Sequence, residues 1–246
     1  MTIGSINNMA NPYFQFKQFT VWHDHCAMKV GTDSVLLGAW TDFSGAANIL
    51  DIGTGSGILA LMAAQKAPNA QIDAIDIDAA AVEQARENFS RSQWKDRITI
   101  YHQSLQEFAN TPTKRYDIII SNPPYFSNAL KSPDKQRTTA RHNDDLDLKT
   151  LFEAANQLLE STGSLNLILP VTEGRQSIDE AARLGLTCIH QTFVKPTENA
   201  VPKRSLLCFS KSLALYHEDE FFIETEIRHS FSYDYRQLTQ DFYLNL

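Results

Sequence analysis

The chain has 246 residues, of which 43% are hydrophobic and 21% charged. That composition can bury a sizeable core and excludes global disorder, and no apolar run approaches the ~20 residues of a membrane span. The formal net charge of −7 argues against a uniformly basic nucleic-acid binder.

The length suits one α/β domain with attachments. The opening residues lack a basic stretch followed by an apolar one, so no signal peptide is expected. Cys26, Cys188 and Cys208 are odd in number and widely spaced, which gives neither a disulfide framework nor a zinc-knuckle spacing. A reduced, cytoplasmic protein is expected. The charge is unevenly spread. Residues 121–142 carry Lys131, Lys135, Arg137 and Arg141 against Asp134, and residues 195–211 carry Lys195, Lys203, Arg204 and Lys211 against Glu198. A negative body with two basic loops could direct RNA to one face, or these could be ordinary solvated loops.

In chain order, residues 1–45 read as an N-terminal extension of strand and helix, and 46–246 as the α/β domain. FQFKQFTV alternates like a strand, KVGTDS reads as a turn and VLLGAW as a short helix. The apolar run at 49–52 is a first strand ending at a glycine loop, and residues 59–66 are helical. Residues 71–77 form a second strand, and Asp78 can cap a helix over 79–91. Strands follow at 97–102 and 116–121, the latter apolar enough to be buried on both faces. Leu148–Leu159 is expected as a helix ended by a turn at Gly163, then a strand over 164–169 and a helix over 178–184. Two last strands, at 187–194 and 205–210, have no helix between them and so predict an antiparallel hairpin. The aromatic-rich tail predicts a final strand and a short helix. Repeated βα units imply a mostly parallel, seven-stranded, doubly wound sheet. Its chemistry should sit on the loops after the first, second and fourth strands.

Three motifs occupy those loops. After the first strand comes Asp51-Ile52-Gly53-Thr54-Gly55-Ser56-Gly57, whose glycines permit a tight turn and close backbone approach to a ligand. Its spacing is neither the dinucleotide fingerprint nor a phosphate-binding loop. Asp76 ends the second strand, where a carboxylate can accept from both hydroxyls of a ribose. Asp78 is the alternative, although it is better placed as a helix cap. Directly after the fourth strand stands Asn122-Pro123-Pro124-Tyr125. An amine conjugated to a base or an amide is a poor nucleophile, because its lone pair is delocalised. The Asn122 oxygen and the Pro123 carbonyl can accept its two N–H bonds and draw the nitrogen towards tetrahedral geometry. Proline stiffens the turn and removes a donor, and Tyr125 can stack on a planar substrate.

In this order, the three motifs resemble the amino-methyltransferases of the Rossmann-like class I fold, which use S-adenosylmethionine. That group includes adenine-N6 nucleic-acid enzymes and glutamine-N5 enzymes that modify release factors. The detailed resemblance is to the bacterial tRNA1(Val) adenine-37 N6-methyltransferase family. It is carried by FKQFTVWHDHCAMKVGTDSVLLGAW, ILDIGTGSGILALMAAQ, SNPPYF, the ARH of residues 140–142 and the closing FYLNL, and it runs over nearly the whole chain.

The resemblance implies a cytoplasmic enzyme acting on the anticodon loop of a valine tRNA. No obligate protein partner or membrane is implied. It places S-adenosylmethionine against Asp51, Gly53, Thr54, Gly55, Gly57 and Asp76, with Thr32 adding a turn against it. Where many relatives carry an Asp after the third strand for the cofactor's adenine, this chain has Gln103-Ser104-Leu105, so Ser104 or a neighbour is the candidate acceptor. Arg137, Arg141 and His142 are candidates to grip phosphates or orient a flipped base. No metal is expected, since His23 and His25 have no third ligand nearby in sequence. The rival readings are a glutamine-N5 protein methyltransferase and a non-catalytic RNA-binding protein that kept the fold.

Overall fold

The computed structural model describes residues 11–25, 29–124, 146–227 and 230–245. An antiparallel hairpin comes first, β1 (Tyr13–Gln15) with β2 (Thr20–Trp22). FQFKQFTV, expected as one strand, is therefore two, because the chain reverses where the Phe16 N–H donates to the Phe19 carbonyl. Helix α1 (Thr32–Trp40) follows.

The α/β units are β3 (Asn48–Ile52), α2 (Ile58–Lys66), β4 (Gln71–Asp76), α3 (Ala79–Ser90), β5 (Ile98–His102), α4 (Leu105–Asn110) and β6 (Tyr116–Ser121). Helix α5 (Leu148–Leu158) runs directly into β7 (Leu159–Pro170), which is followed by α6 (Val171–Arg183), β8 (Thr187–Thr197), β9 (Arg204–Ser210), β10 (His217–Glu224) and α7 (Tyr233–Thr239).

One sheet holds β3 to β10 in the order β10-β8-β9-β7-β6-β3-β4-β5. All pairs are parallel except those made by β9, which runs against both β7 and β8. The expected terminal hairpin is thus β8–β9, in a mostly parallel sheet. Among the described residues the sheet has eight strands, not seven, because the expected tail strand, β10, joins it beside β8. The expected turn at Gly163 is also corrected: the residue lies inside β7. A Cβ there would stand 2.8 Å from the Tyr116 carbonyl oxygen, so this glycine permits close approach at the register shift between β6 and β7.

The central strands are apolar on both faces, and their alternation divides the core in two. Ile49, Ile118 and Ile120 face the layer that holds α1, α2, α3 and the N-terminal hairpin. Leu50, Ile52 and Ile119 face the layer of α4, α5 and α6. Helices α1 and α2 cross closely, since a Cβ on Gly38 would stand 2.6 Å from the Met62 sulfur. The N-terminal hairpin meets the C-terminal segment, with Phe16 bridged to Tyr243 and the Lys17 N–H donating to the Phe242 carbonyl. Among the described residues, no helix is long and apolar enough to cross a membrane.

Candidate active site

The sheet reverses its winding at β3, which has β4 on one side and β6 on the other. Ile52 is in register with both Ile75 and Ser121. Gly53, Asp76 and Asn122 are the next residues on their strands, so all three predicted motifs leave the sheet side by side, about one strand spacing (~4.8 Å) apart. The Ser121 hydroxyl donates to the Ile52 carbonyl at 2.8 Å and locks this register.

The glycine loop turns as its sequence requires. Gly53, Gly55 and Gly57 take φ of 68°, 56° and 85°, the left-handed region that disfavours other residues. The N–H groups of Gly53 and Thr54 donate to the Ile75 carbonyl. A Cβ on Gly53 or Gly55 would meet nothing within 4 Å, whereas one on Gly57 would stand 2.4 Å from the Phe89 ring. The first two glycines therefore leave bare backbone over open space, and the third lets α2 start against α3.

Asp51 lies beneath the loop, fully buried. Its Oδ2 accepts from the Thr54 hydroxyl at 2.5 Å and the Ala60 N–H at 3.1 Å. Its Oδ1 has no partner among the described residues. Burial pushes this carboxyl up to about 7, against the hydrogen bonds from Thr54 and Ala60. Thr54 thus points inward to anchor Asp51.

A pH consequence follows from the raised value. A carboxyl raised from 3.8 to about 7 on folding stabilises the fold below pH 4, and that contribution is lost as pH rises through 7. The cost is on the order of 4 kcal/mol by pH 8. Melting temperature should therefore fall less between pH 5 and 8 in Asp51→Asn than in the wild type. Parallel curves for the two proteins would contradict this.

Asp76 and Asp78 divide their roles. The Asp78 side chain caps α3 by accepting from the Ala80 N–H. Asp76 accepts from the Gly55 N–H at 2.8 Å through one oxygen and from the Asp78 N–H at 2.9 Å through the other, so each oxygen keeps a lone pair for a ligand. Ile77, which the sequence reading missed, is 46% exposed next to it, with the His102 ring bonded to its carbonyl at 3.0 Å. An apolar residue directly after the strand-end acid was the available signal.

Ser104 is buried as the N-cap of α4. Its hydroxyl donates to the Glu107 carboxylate and accepts from the Glu107 N–H in a capping box. That geometry gives Ser104 a helix-capping duty and removes its hydroxyl proton from any other partner.

Asn122 is half-buried, Pro123 buried and Pro124 exposed. The Asn122 amide nitrogen donates to the Ser34 hydroxyl at 3.0 Å, which places the acceptor oxygen at the opposite end of the amide. Ser34 belongs to the first turn of α1, as does the exposed Thr32. Between them, Asp33 pairs with Arg204 of β9 at 2.8 Å. The KVGTDS segment, expected as a turn, thus begins α1 and braces Asn122. Sequence reading missed Ser34 because 88 positions separate it from Asn122.

Tyr125, Arg137, Arg141 and His142 lie outside the described residues. The second basic loop is largely satisfied internally. Lys195 pairs with Glu220 at 2.6 Å, Arg204 with Asp33, and Lys211 donates to the Leu159 carbonyl. The His23 ring turns inward to bond the Asn11 carbonyl, while His25 lies by Asp24.

Residues 25–185 match the model of the methyltransferase small domain family. The chain is 50% identical over 97% of its length to the whole of a tRNA1(Val) (adenine(37)-N6)-methyltransferase of Phocaeicola vulgatus. The chain belongs to the tRNA1(Val) (adenine(37)-N6)-methyltransferase family. A relative with the same name from Bacteroides thetaiotaomicron is 46% identical, also over 97% of this chain and all of its own. Among solved structures, a predicted O-methyltransferase of Agrobacterium tumefaciens superposes with a TM-score of 0.64 at 18% identity, covering 85% of this chain and 96% of its own. A putative RNA methyltransferase of Pyrococcus horikoshii gives 0.52 at 20% identity, over 73% and 80%. At those identities the likeness bears on the fold, which is that of Rossmann-like methyltransferases. As a member of this family the chain is a methyltransferase.

Proposed function

We propose that this enzyme transfers the methyl group of S-adenosylmethionine to N6 of adenine 37 in the anticodon loop of a valine tRNA. The observation that carries the methyl-transfer chemistry is the register that sets Asn122 beside the glycine loop. The names of the near-full-length relatives carry the choice of substrate.

The residues present fit the cofactor. Gly53 and Gly55 offer bare backbone, Asp76 keeps acceptor capacity at the strand end, and Ile77 offers an apolar surface to a ring. The unpartnered Asp51 Oδ1 suits a cationic group near the loop. S-adenosylmethionine supplies an electrophilic methyl when bound, and the chain supplies position. Asn122 Oδ1 and the Pro123 carbonyl accept the two N–H bonds of N6, which holds its lone pair on line for attack. Tyr125 stacks on the flipped ring, a flip that costs less in a loop than in a duplex. The proton of the methylated nitrogen leaves to water. Lys195 and Arg204 are paired internally, and Arg137, Arg141 and His142 are proposed to grip phosphates or orient the flipped base. Free thiols at Cys188 and Cys208 support a cytoplasmic setting.

Ser34 enters as a positioning residue, because it holds the amide with its oxygen towards the substrate. Ser34→Ala removes one neutral hydrogen bond, about 0.5–1.5 kcal/mol, and should lower kcat about 2- to 12-fold at unchanged KM for tRNA. Ser34→Thr, which keeps the hydroxyl, should retain most of the rate. A loss of melting temperature with unchanged kcat would make Ser34 merely structural.

The function is tested by incubating purified protein with labelled S-adenosylmethionine and either bulk tRNA or release factor. Label should enter tRNA as N6-methyladenosine. Label in release factor alone would replace the RNA reading with amide methylation.

A further inference from the structure

The edge strand β10 lies parallel to β8 with His217 directly opposite His190. Two residues on, Asp219 returns to the same face, opposite Thr192. The pairing thus gathers two imidazoles and a carboxylate from positions up to 29 residues apart. One ligand atom from each of the three lies within 4.8 Å of the others. Nε2 of His190 and Nε2 of His217 are each 3.2 Å from the same oxygen, Asp219 Oδ2.

The two histidine–aspartate separations suit a metal, and the third edge lies within 4.8 Å. Zinc–nitrogen and zinc–oxygen bonds of about 2.0–2.2 Å put tetrahedral ligand atoms roughly 3.3–3.6 Å apart, so a bound ion would draw the two rings slightly together. The Trp40 indole N–H donates to the Thr192 hydroxyl at 2.9 Å, and that hydroxyl stands 3.3 Å from His190 Nε2. The Trp40 ring packs against the His190 ring with centroids 4.8 Å apart and planes tilted by 35°. Glu218 and Glu220 flank Asp219 on β10 and add negative potential, part of which Lys195 cancels at Glu220.

We propose that His190, His217 and Asp219 form a site for a divalent transition-metal ion of the zinc type, remote from the methyl-transfer cleft. Three strands separate β10 from β6, which Asn122 directly follows. Two imidazoles with one carboxylate favour zinc, nickel, cobalt and copper over magnesium, and the fourth position faces solvent, because His217 and Asp219 are exposed. A bound ion would fasten the edge strand, and through it the C-terminal helix, to the body of the sheet.

The test uses the untagged full-length protein and zinc chloride alone, followed by calorimetry and by thermal unfolding. Wild type should bind one zinc ion at this site and unfold at a higher temperature with zinc than without. His217→Gln and Asp219→Asn alter exposed side chains, so both should fold, and each should weaken zinc binding at least ten-fold and abolish the rise. Magnesium at the same concentration should leave the melting temperature unchanged. The proposal is overturned if wild type binds no zinc at 100-fold molar excess, if both variants bind it as wild type does, or if magnesium stabilises equally.

Discussion

Asn122→Ala should lose about 10²- to 10³-fold in kcat, the range for removing one preorganised hydrogen-bonding group that acts at the transition state, while S-adenosylmethionine affinity stays within two-fold. Among the described residues, the Asn122 side chain bonds to Ser34. In the proposed reaction its oxygen accepts from the N–H groups of the reacting amine, whose geometry changes only as the bond forms, so the loss belongs in kcat rather than in cofactor binding. Single-turnover kinetics beside cofactor calorimetry separates the two. A variant that keeps near wild-type kcat would remove Asn122 from the chemistry.

For Asp76→Ala the expected loss is in binding. A carboxylate that faces two hydroxyls contributes about 1.5–3 kcal/mol, so the dissociation constant for S-adenosylmethionine should rise roughly 10- to 150-fold. The Gly55 N–H loses its acceptor in the same variant, which adds a loop component. Asp76→Asn separates the two effects: it keeps one acceptor oxygen and should recover part of the affinity. Calorimetry that finds unchanged affinity for Asp76→Ala would move the ribose contact elsewhere on the strand ends.

The candidate machinery could be read from sequence because it is local. The loop of Asp51–Gly57 and the run Asn122–Tyr125 each carry their chemistry in a few consecutive residues, and strands apolar on both faces announce where those loops must open. The order of βα units also gave the parallel sheet, and the missing helix between β8 and β9 gave its antiparallel pairs. What sequence could not show depends on pairing at a distance. Ser34 meets Asn122 only because α1 lies over the end of β6. Arg204 and Lys195 look like free cations until β10 and α1 bring Glu220 and Asp33 to them. Gly163 has the composition of a turn, yet β7 runs through it, because close packing on β6 excludes a side chain there. Ser104 shows the reverse case: its pattern with Glu107 is a capping box visible in sequence, and both halves of the box form.

A single base change in the substrate tests the proposed reaction most directly. Purified enzyme and labelled S-adenosylmethionine are incubated with two valine tRNA transcripts that differ only at position 37, one with adenine and one with guanine. Guanine has a carbonyl where adenine has its N6 amine, so nothing would face Asn122. Label should enter the adenine transcript, as N6-methyladenosine by nucleoside mass spectrometry, and should be absent from the guanine one. Equal labelling of both transcripts, or label in a base other than adenine 37, would contradict the proposed reaction.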